Sequence, residues 1–91
     1  MNLSTEQRDV LCKVMASNLQ LFRIKLGLSQ EELADRVDIT RQSISAFETE
    51  QRKLPWNMFL AFLMLFSSND STKNLLKALE IMTPELESFL N

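Results

Sequence analysis

Arg41, Gln42, Ser43 and Ser45 crowd together between positions 41 and 45, and Arg52 and Lys53 follow shortly after. These side chains are equipped to bind rather than to react. A Gln amide offers a donor and an acceptor side by side, and an Arg guanidinium offers a rigid fork of donors. A Lys ammonium is a mobile point charge suited to an anion. The rest of the inventory narrows the chemistry further. The 91 residues include no His and no Tyr, and a single cysteine, Cys12. A His general base, a Ser-His-Asp triad and a Cys/His zinc cage are all ruled out. No residue is therefore assigned a catalytic, cofactor-binding or metal-binding role, and the sequence does not read as an enzyme. A lone Cys forms no disulfide within the chain, which suits a reducing compartment. Cys12 lies among Val10, Leu11, Val14 and Met15 and reads as a small buried apolar residue.

The elements that must position these side chains are helical. Hydrophobic residues make up 45% and charged residues 24%, an ordinary globular balance. One Gly and two Pro leave too few turn signals for a sandwich or barrel. The spacing predicts an all-α bundle of about five to six helices, at about 5–26, 30–37, 41–48, 55–67, 72–81 and 84–90. Ser4 and Gln7 form a capping box for the first, and Leu11, Met15, Leu19, Phe22 and Leu26 recur on one face, with Val10 and Val14 alongside. A kink near Ala16-Ser17-Asn18 is compatible with this pattern. Gly27 ends that helix in a left-handed turn. Ser29 and Glu32 box the second, and Thr40 caps the third. In that third helix Ile44 and Phe47 face inward, leaving Arg41, Gln42, Ser43, Ser45 and Ala46 to face outward. Pro55 suits a first helical position, and the run from Trp56 to Phe66 is apolar all round, so it must be covered on several sides. Leu75, Leu79, Met82 and Leu86 mark the face of the last two helices. We read residues 1–91 as one domain with an N-terminal extension (about 4–15) and a C-terminal helical extension (about 70–91).

The formal charge is −2, ten basic against twelve acidic residues. The excess acid is C-terminal, where Asp70, Glu80, Glu85 and Glu87 face only Lys73 and Lys77. The segment 23–53 is balanced, so a mildly basic local face is compatible with the acidic total. The apolar stretch from Leu54 to Phe66 is interrupted by Pro55 and Asn57 and falls short of the ~20 residues that span a bilayer. No basic tip followed by an apolar run marks a leader, because Glu6, Arg8 and Asp9 stand near the start.

Two short helices joined by a tight turn, the second with a small polar outer face, make the helix-turn-helix pattern. Over Leu26-Gly27-Leu28-Ser29-Gln30, Glu32-Leu33-Ala34, and Ile39-Thr40-Arg41-Gln42-Ser43-Ile44 leading to Phe47-Glu48, the sequence resembles the lambda-repressor-like (Cro/repressor type, XRE) helix-turn-helix family. The resemblance extends more loosely from about 16 to 66. It implies a DNA-binding transcriptional regulator, a repressor, that sets its third helix into the major groove of a palindromic operator as a homodimer. Gln matches adenine and Arg matches guanine in that groove, so Arg41 and Gln42 are the expected base readers. Ala46 occupies the third reading position and offers only a methyl, with Ser45 beside it. Gln30 is the expected phosphate-binding glutamine at a helix start, where free N–H groups also favour an anion. Ser43, Arg52 and Lys53 are expected on the DNA backbone. Arg23 and Glu48 match a buried structural ion pair. The sequence departs from the family in two places: Asp38 replaces the usual turn Gly, and Thr49-Glu50 replaces Asn-Gly after Glu48.

The partners expected are double-stranded DNA and a second copy of the chain, docked through the surplus apolar surface of the 55–67 helix and the C-terminal helices. Neither a membrane nor a small-molecule ligand is expected, and the expected location is the cytoplasm, on the nucleoid. An alternative reading is a protein-interaction or antitoxin-like module on the same fold.

Overall fold

The computed structural model describes residues 3–90, so residue 91, where the expected C-terminal extension ends, lies outside the described part. Seven helices run along it: α1 (Thr5–Ser17), α2 (Leu19–Lys25), α3 (Gln30–Arg36), α4 (Arg41–Glu48), α5 (Trp56–Ser67), α6 (Asp70–Ala78) and α7 (Pro84–Leu90). Among the described residues there is no strand.

The expected first helix of 5–26 is two helices, which is why the count is seven. The break falls at Asn18, whose φ of −116° and ψ of 7° leave the helical basin. Two polar side chains compete with the helical ladder there. The Asn18 amide donates to the Val14 carbonyl at 2.8 Å, and the Ser17 hydroxyl donates to the Lys13 carbonyl at 2.9 Å. Pro55 also differs from its expected place. It is the N-cap of α5, with extended backbone, and its carbonyl accepts the Phe59 N–H at 3.0 Å. α6 begins at Asp70, earlier than the spacing suggested, because the Asn69 side chain caps it by accepting the Ser71 N–H. α3 and α6 stop at Arg36 and Ala78, short of the expected 37 and 81.

The early stops share one device. Gly27, Asp38, Glu50 and Glu80 all have φ between 58° and 70°, and each sits just past the end of a helix. After α2, α3 and α6 the next N–H reaches back to the last turn: Leu28 to Arg23, Ile39 to Ala34 and Ile81 to Leu76, at 2.9 to 3.1 Å. This 6→1 closure satisfies carbonyls that the helix leaves open. It also throws the following apolar residue inward, and Ile81 is completely buried for that reason. Gly27 occupies the left-handed position without strain; at the other three an L side chain bears a cost.

The core is aromatic. Phe22 of α2 stacks on Phe66 of α5 with centroids 4.6 Å apart, and Phe66 stacks on Phe62 at 5.9 Å. Phe59, Phe62, Leu63 and Phe66 are all buried, so α5 is the central post, with α1, α2 and α6 around it. Its outer side is less covered, and Met64 is 63% exposed. Val10, placed by periodicity on the inner face of α1, is 62% exposed. At the C-terminal end Leu76, Ile81 and Leu86 carry the burial, while Leu75, Leu79 and Met82 are half-buried. Thr72 is a polar residue buried as a whole, and its hydroxyl is satisfied by the Phe66 carbonyl at 2.6 Å.

Gly27→Ala meets no atom within 4 Å, so only backbone strain opposes it. It should lower stability by about 1 kcal/mol, and Glu80→Gly should raise stability by up to about 1 kcal/mol. Paired urea melts measure both.

Candidate nucleic-acid interface

α3 and α4 form the unit that presents the polar residues. Leu33 and Ala34 on α3 and Ile44 and Phe47 on α4 are buried, and small Ala34 lets the two helices approach. The connection is closed by left-handed Asp38 and by Ile39 N–H to Ala34 O at 3.0 Å. Asp thus accepts the conformation that Gly would supply, as its short polar side chain permits. The Thr40 hydroxyl caps α4 by accepting the Ser43 N–H at 3.2 Å, and its oxygen lies 3.0 Å from the Ser43 hydroxyl. With Ile44 and Phe47 turned inward, Arg41 and Gln42 stand exposed at the first turn. Ser43 is half-buried.

Ser45 and Ala46, expected to face outward, are half-buried, as Ser43 is. The segment after α4 folds back against this turn. There the Thr49 hydroxyl donates to the Ser45 carbonyl at 2.9 Å, and the Arg52 N–H donates to the Ala46 carbonyl at 3.3 Å. Glu50 adopts φ 59° where the resemblance would have placed Gly, and the loop closes all the same.

A continuous polar chain ties this unit to α2. Arg23 Nε lies 2.7 Å from Glu48 Oε2, with the side chains only 13% and 5% exposed. Arg23 Nη2 donates to Glu48 Oε1 at 3.3 Å, and Arg23 Nη1 donates to the Leu28 carbonyl at 3.0 Å. Glu48 Oε1 also accepts from Gln30 Nε2 at 3.0 Å, and Gln30 Oε1 accepts from Arg41 Nη1 at 3.4 Å. The structure therefore brings Arg23, Glu48, Gln30 and Arg41 into one network. Sequence reasoning paired the first two and treated the others separately. Gln30 opens α3, where the Ser29–Glu32 capping box completes the helix end.

Arg52 and Lys53 are exposed and are held differently. The Arg52 guanidinium lies over the Phe47 ring, 4.6 Å from its centroid. Such a cation–π contact contributes about 0.5–1 kcal/mol at an exposed place. Lys53 Nζ lies 3.3 Å from Asp9 Oδ1 on α1. Asp9 was not among the residues singled out from the sequence, because a partner 44 positions away leaves no periodic or spacing signal. Nearby, Cys12 is buried, and burial pushes its thiol up to about 11, with Asp9 adding to the shift. The thiol is thus a packed apolar group.

The sequence that builds α3 and α4 is matched by comparison with known proteins. The family model described as "Helix-turn-helix" matches residues 19–55. Residues 19–55 are similar to that family. The matched segment runs from the start of α2 to the N-cap of α5, so α1, α5, α6 and α7 lie outside it. A chain from Neisseria meningitidis serogroup B (strain ATCC BAA-335 / MC58), described as "Neisseria hypothetical transcription factor", is 42% identical over 48 residues. That stretch is 53% of this chain and 42% of the relative, so the chain matches less than half of the relative's length. No solved structure matches the chain.

Glu48→Ala strands the Arg23 guanidinium in a poorly hydrated place and should cost about 3 kcal/mol, the range for breaking a buried pair. A urea midpoint unchanged from wild type would contradict the network. Glu32 gives a pH signature. The Ser29 backbone N–H donates to its carboxylate at 2.9 Å and holds the carboxyl below its ordinary value. A carboxyl lowered in the folded state stabilises it fully above the unfolded-chain value, and that contribution is lost as pH falls through the folded value. The Glu32→Gln variant should therefore lose less stability than wild type when urea melts are compared between about pH 6 and about pH 3.

Proposed function

We propose that this chain is a sequence-specific DNA-binding transcriptional regulator that inserts the first turn of α4 into the major groove. The observation that carries this reading is the pair Arg41 and Gln42. Both are exposed on a turn whose opposite side is locked by Ile44, Phe47 and the Glu48–Arg23 pair. Their guanidinium and amide groups match guanine and adenine edges. Ser45 and the Ala46 methyl flank them at the groove wall. Gln30, Ser43, Arg52 and Lys53 serve the phosphates. The similarity to a chain described as a transcription factor supports the same reading.

The chain acts as a homodimer on a palindromic operator, as a repressor, and the described helices work as one DNA-binding domain. The outer side of α5 is the docking face: from Pro55 to Asn69 no residue is charged, and Leu60, Ala61 and Met64 are half-buried or exposed there. Among the described residues no helix is long and apolar enough to cross a membrane. A chromosomal role places the chain in the cytoplasm, on the nucleoid.

Selection of bound duplexes from a random pool tests binding, symmetry and spacing together. The expected product is an inverted repeat with half-sites about 34 Å apart, or multiples of that. A pool that never departs from random would sink the proposal. On the selected site, Gln42→Ala should cost about 1–3 kcal/mol and relax preference at one base pair. Lys53→Ala should weaken all sequences alike and flatten the salt slope by at most about 0.9. A changed base preference in Lys53→Ala would show that the two roles are wrongly divided.

A further inference from the structure

Lys53 is the most weakly held cation of the proposed backbone-binding loop. Its side chain is 76% exposed, and among the described residues its ion-pair partner is Asp9. Asp9 does not belong to the helix-turn-helix segment, which begins at residue 19. It is carried by α1, whose place is fixed by other contacts. Leu11, Cys12, Met15 and Ala16 anchor the helix in the core, and the Arg8 guanidinium lies 5.1 Å from the centroid of the Trp56 ring. A cleft of about 370 Å³ separates α1 from the loop, with Asp9 and Lys13 on one wall and Glu50, Arg52 and Lys53 on the other. The Asp9 carboxylate is thus an anion fixed where a DNA phosphate would have to meet Lys53.

We propose that Asp9 is a built-in competitor for the DNA backbone, lowering the affinity of the Arg52–Lys53 loop for phosphate and so shifting recognition toward the base contacts of α4. The proposal rests on the DNA-binding reading above. Two effects act in the same direction. Lys53 must leave Asp9 before it can neutralise a phosphate, and the carboxylate then left behind repels that phosphate. An exposed pair of this kind is weak and exchangeable, so it tempers binding without blocking it. Sequence-independent binding depends most on such phosphate contacts, so it is the part most reduced.

The test is fluorescence anisotropy of the full chain with a mixed-sequence duplex over a range of salt, for wild type, Asp9→Asn, Lys53→Met and the double variant. Glu6→Gln, the same charge change on α1 beside a different groove, is the control. Asp9→Asn should tighten binding about two- to five-fold at low salt. It should also steepen the slope of log K against log salt by up to about 0.9. In the Lys53→Met background the same change should keep less than half of its gain, because only the repulsion remains, and Glu6→Gln should give less than half the gain. A gain that persists in full without Lys53, or is matched by Glu6→Gln, would reduce Asp9 to a general charge and overturn the proposal. So would Asp9→Asn binding like wild type while wild type binds the duplex. If neither wild type nor Asp9→Asn binds the duplex at low salt, the DNA-binding reading falls and the competitor with it. Binding by Asp9→Asn alone would support both.

Discussion

A carboxylate withdrawn from water must be answered by donors, and the orientation of α4 follows from how Glu48 is answered. Its oxygens accept from Arg23 twice and from Gln30 once, which joins the last turn of α4 to α2 and to the start of α3. Arg23 also grips the Leu28 carbonyl, while its own carbonyl accepts the Leu28 N–H, so the α2–α3 corner is clamped from both sides. Such a pair gains little net stability after desolvation. What it supplies is direction: alternative tilts of α4 would leave a buried charge without partners. Gln30 is drawn into the same network and in turn meets Arg41, so the side chains proposed for phosphate and for base contact are placed relative to each other by the fold itself.

Behind this polar clamp the support is apolar and aromatic. α5 carries no charge and supplies four fully buried side chains, and Phe22 on α2 stacks directly on Phe66. The helix that holds Arg23 is therefore fixed on one side by ring stacking and on the other by Glu48. α1 and α6 also pack on α5. Thr72 closes the α5–α6 corner by bonding the Phe66 carbonyl, so even the buried hydroxyl reinforces the central post.

Much of this architecture was readable in the sequence because it rests on local rules. The capping residues Ser4, Ser29 and Thr40 each accept the N–H three positions on, and α4 has the predicted limits. The inward positions Ile44 and Phe47 follow from spacing alone. What escaped was of two kinds. One was the set of helix ends that use a left-handed residue. Gly27 announced itself, but Glu80 has no such signal, and the burial of Ile81 that follows from it went unseen. The other was contact across long sequence separation. Nothing in the residue types links Asp9 to Lys53 or Arg8 to Trp56, because pairs so distant in sequence obey no period.

Cys12 sits on α1 with its sulfur covered by the core and its proton held to about pH 11. Both conditions suppress attack by a thiol reagent at neutral pH, since the thiolate is the reactive form. Cys12 also lines the cleft between α1 and the Arg52–Lys53 loop, so capture of this sulfur requires α1 to move there, and each such movement carries Asp9 with it. The chain thereby holds an internal clock for its own opening: the rate of thiol labelling counts these movements of α1, with no residue added to the chain.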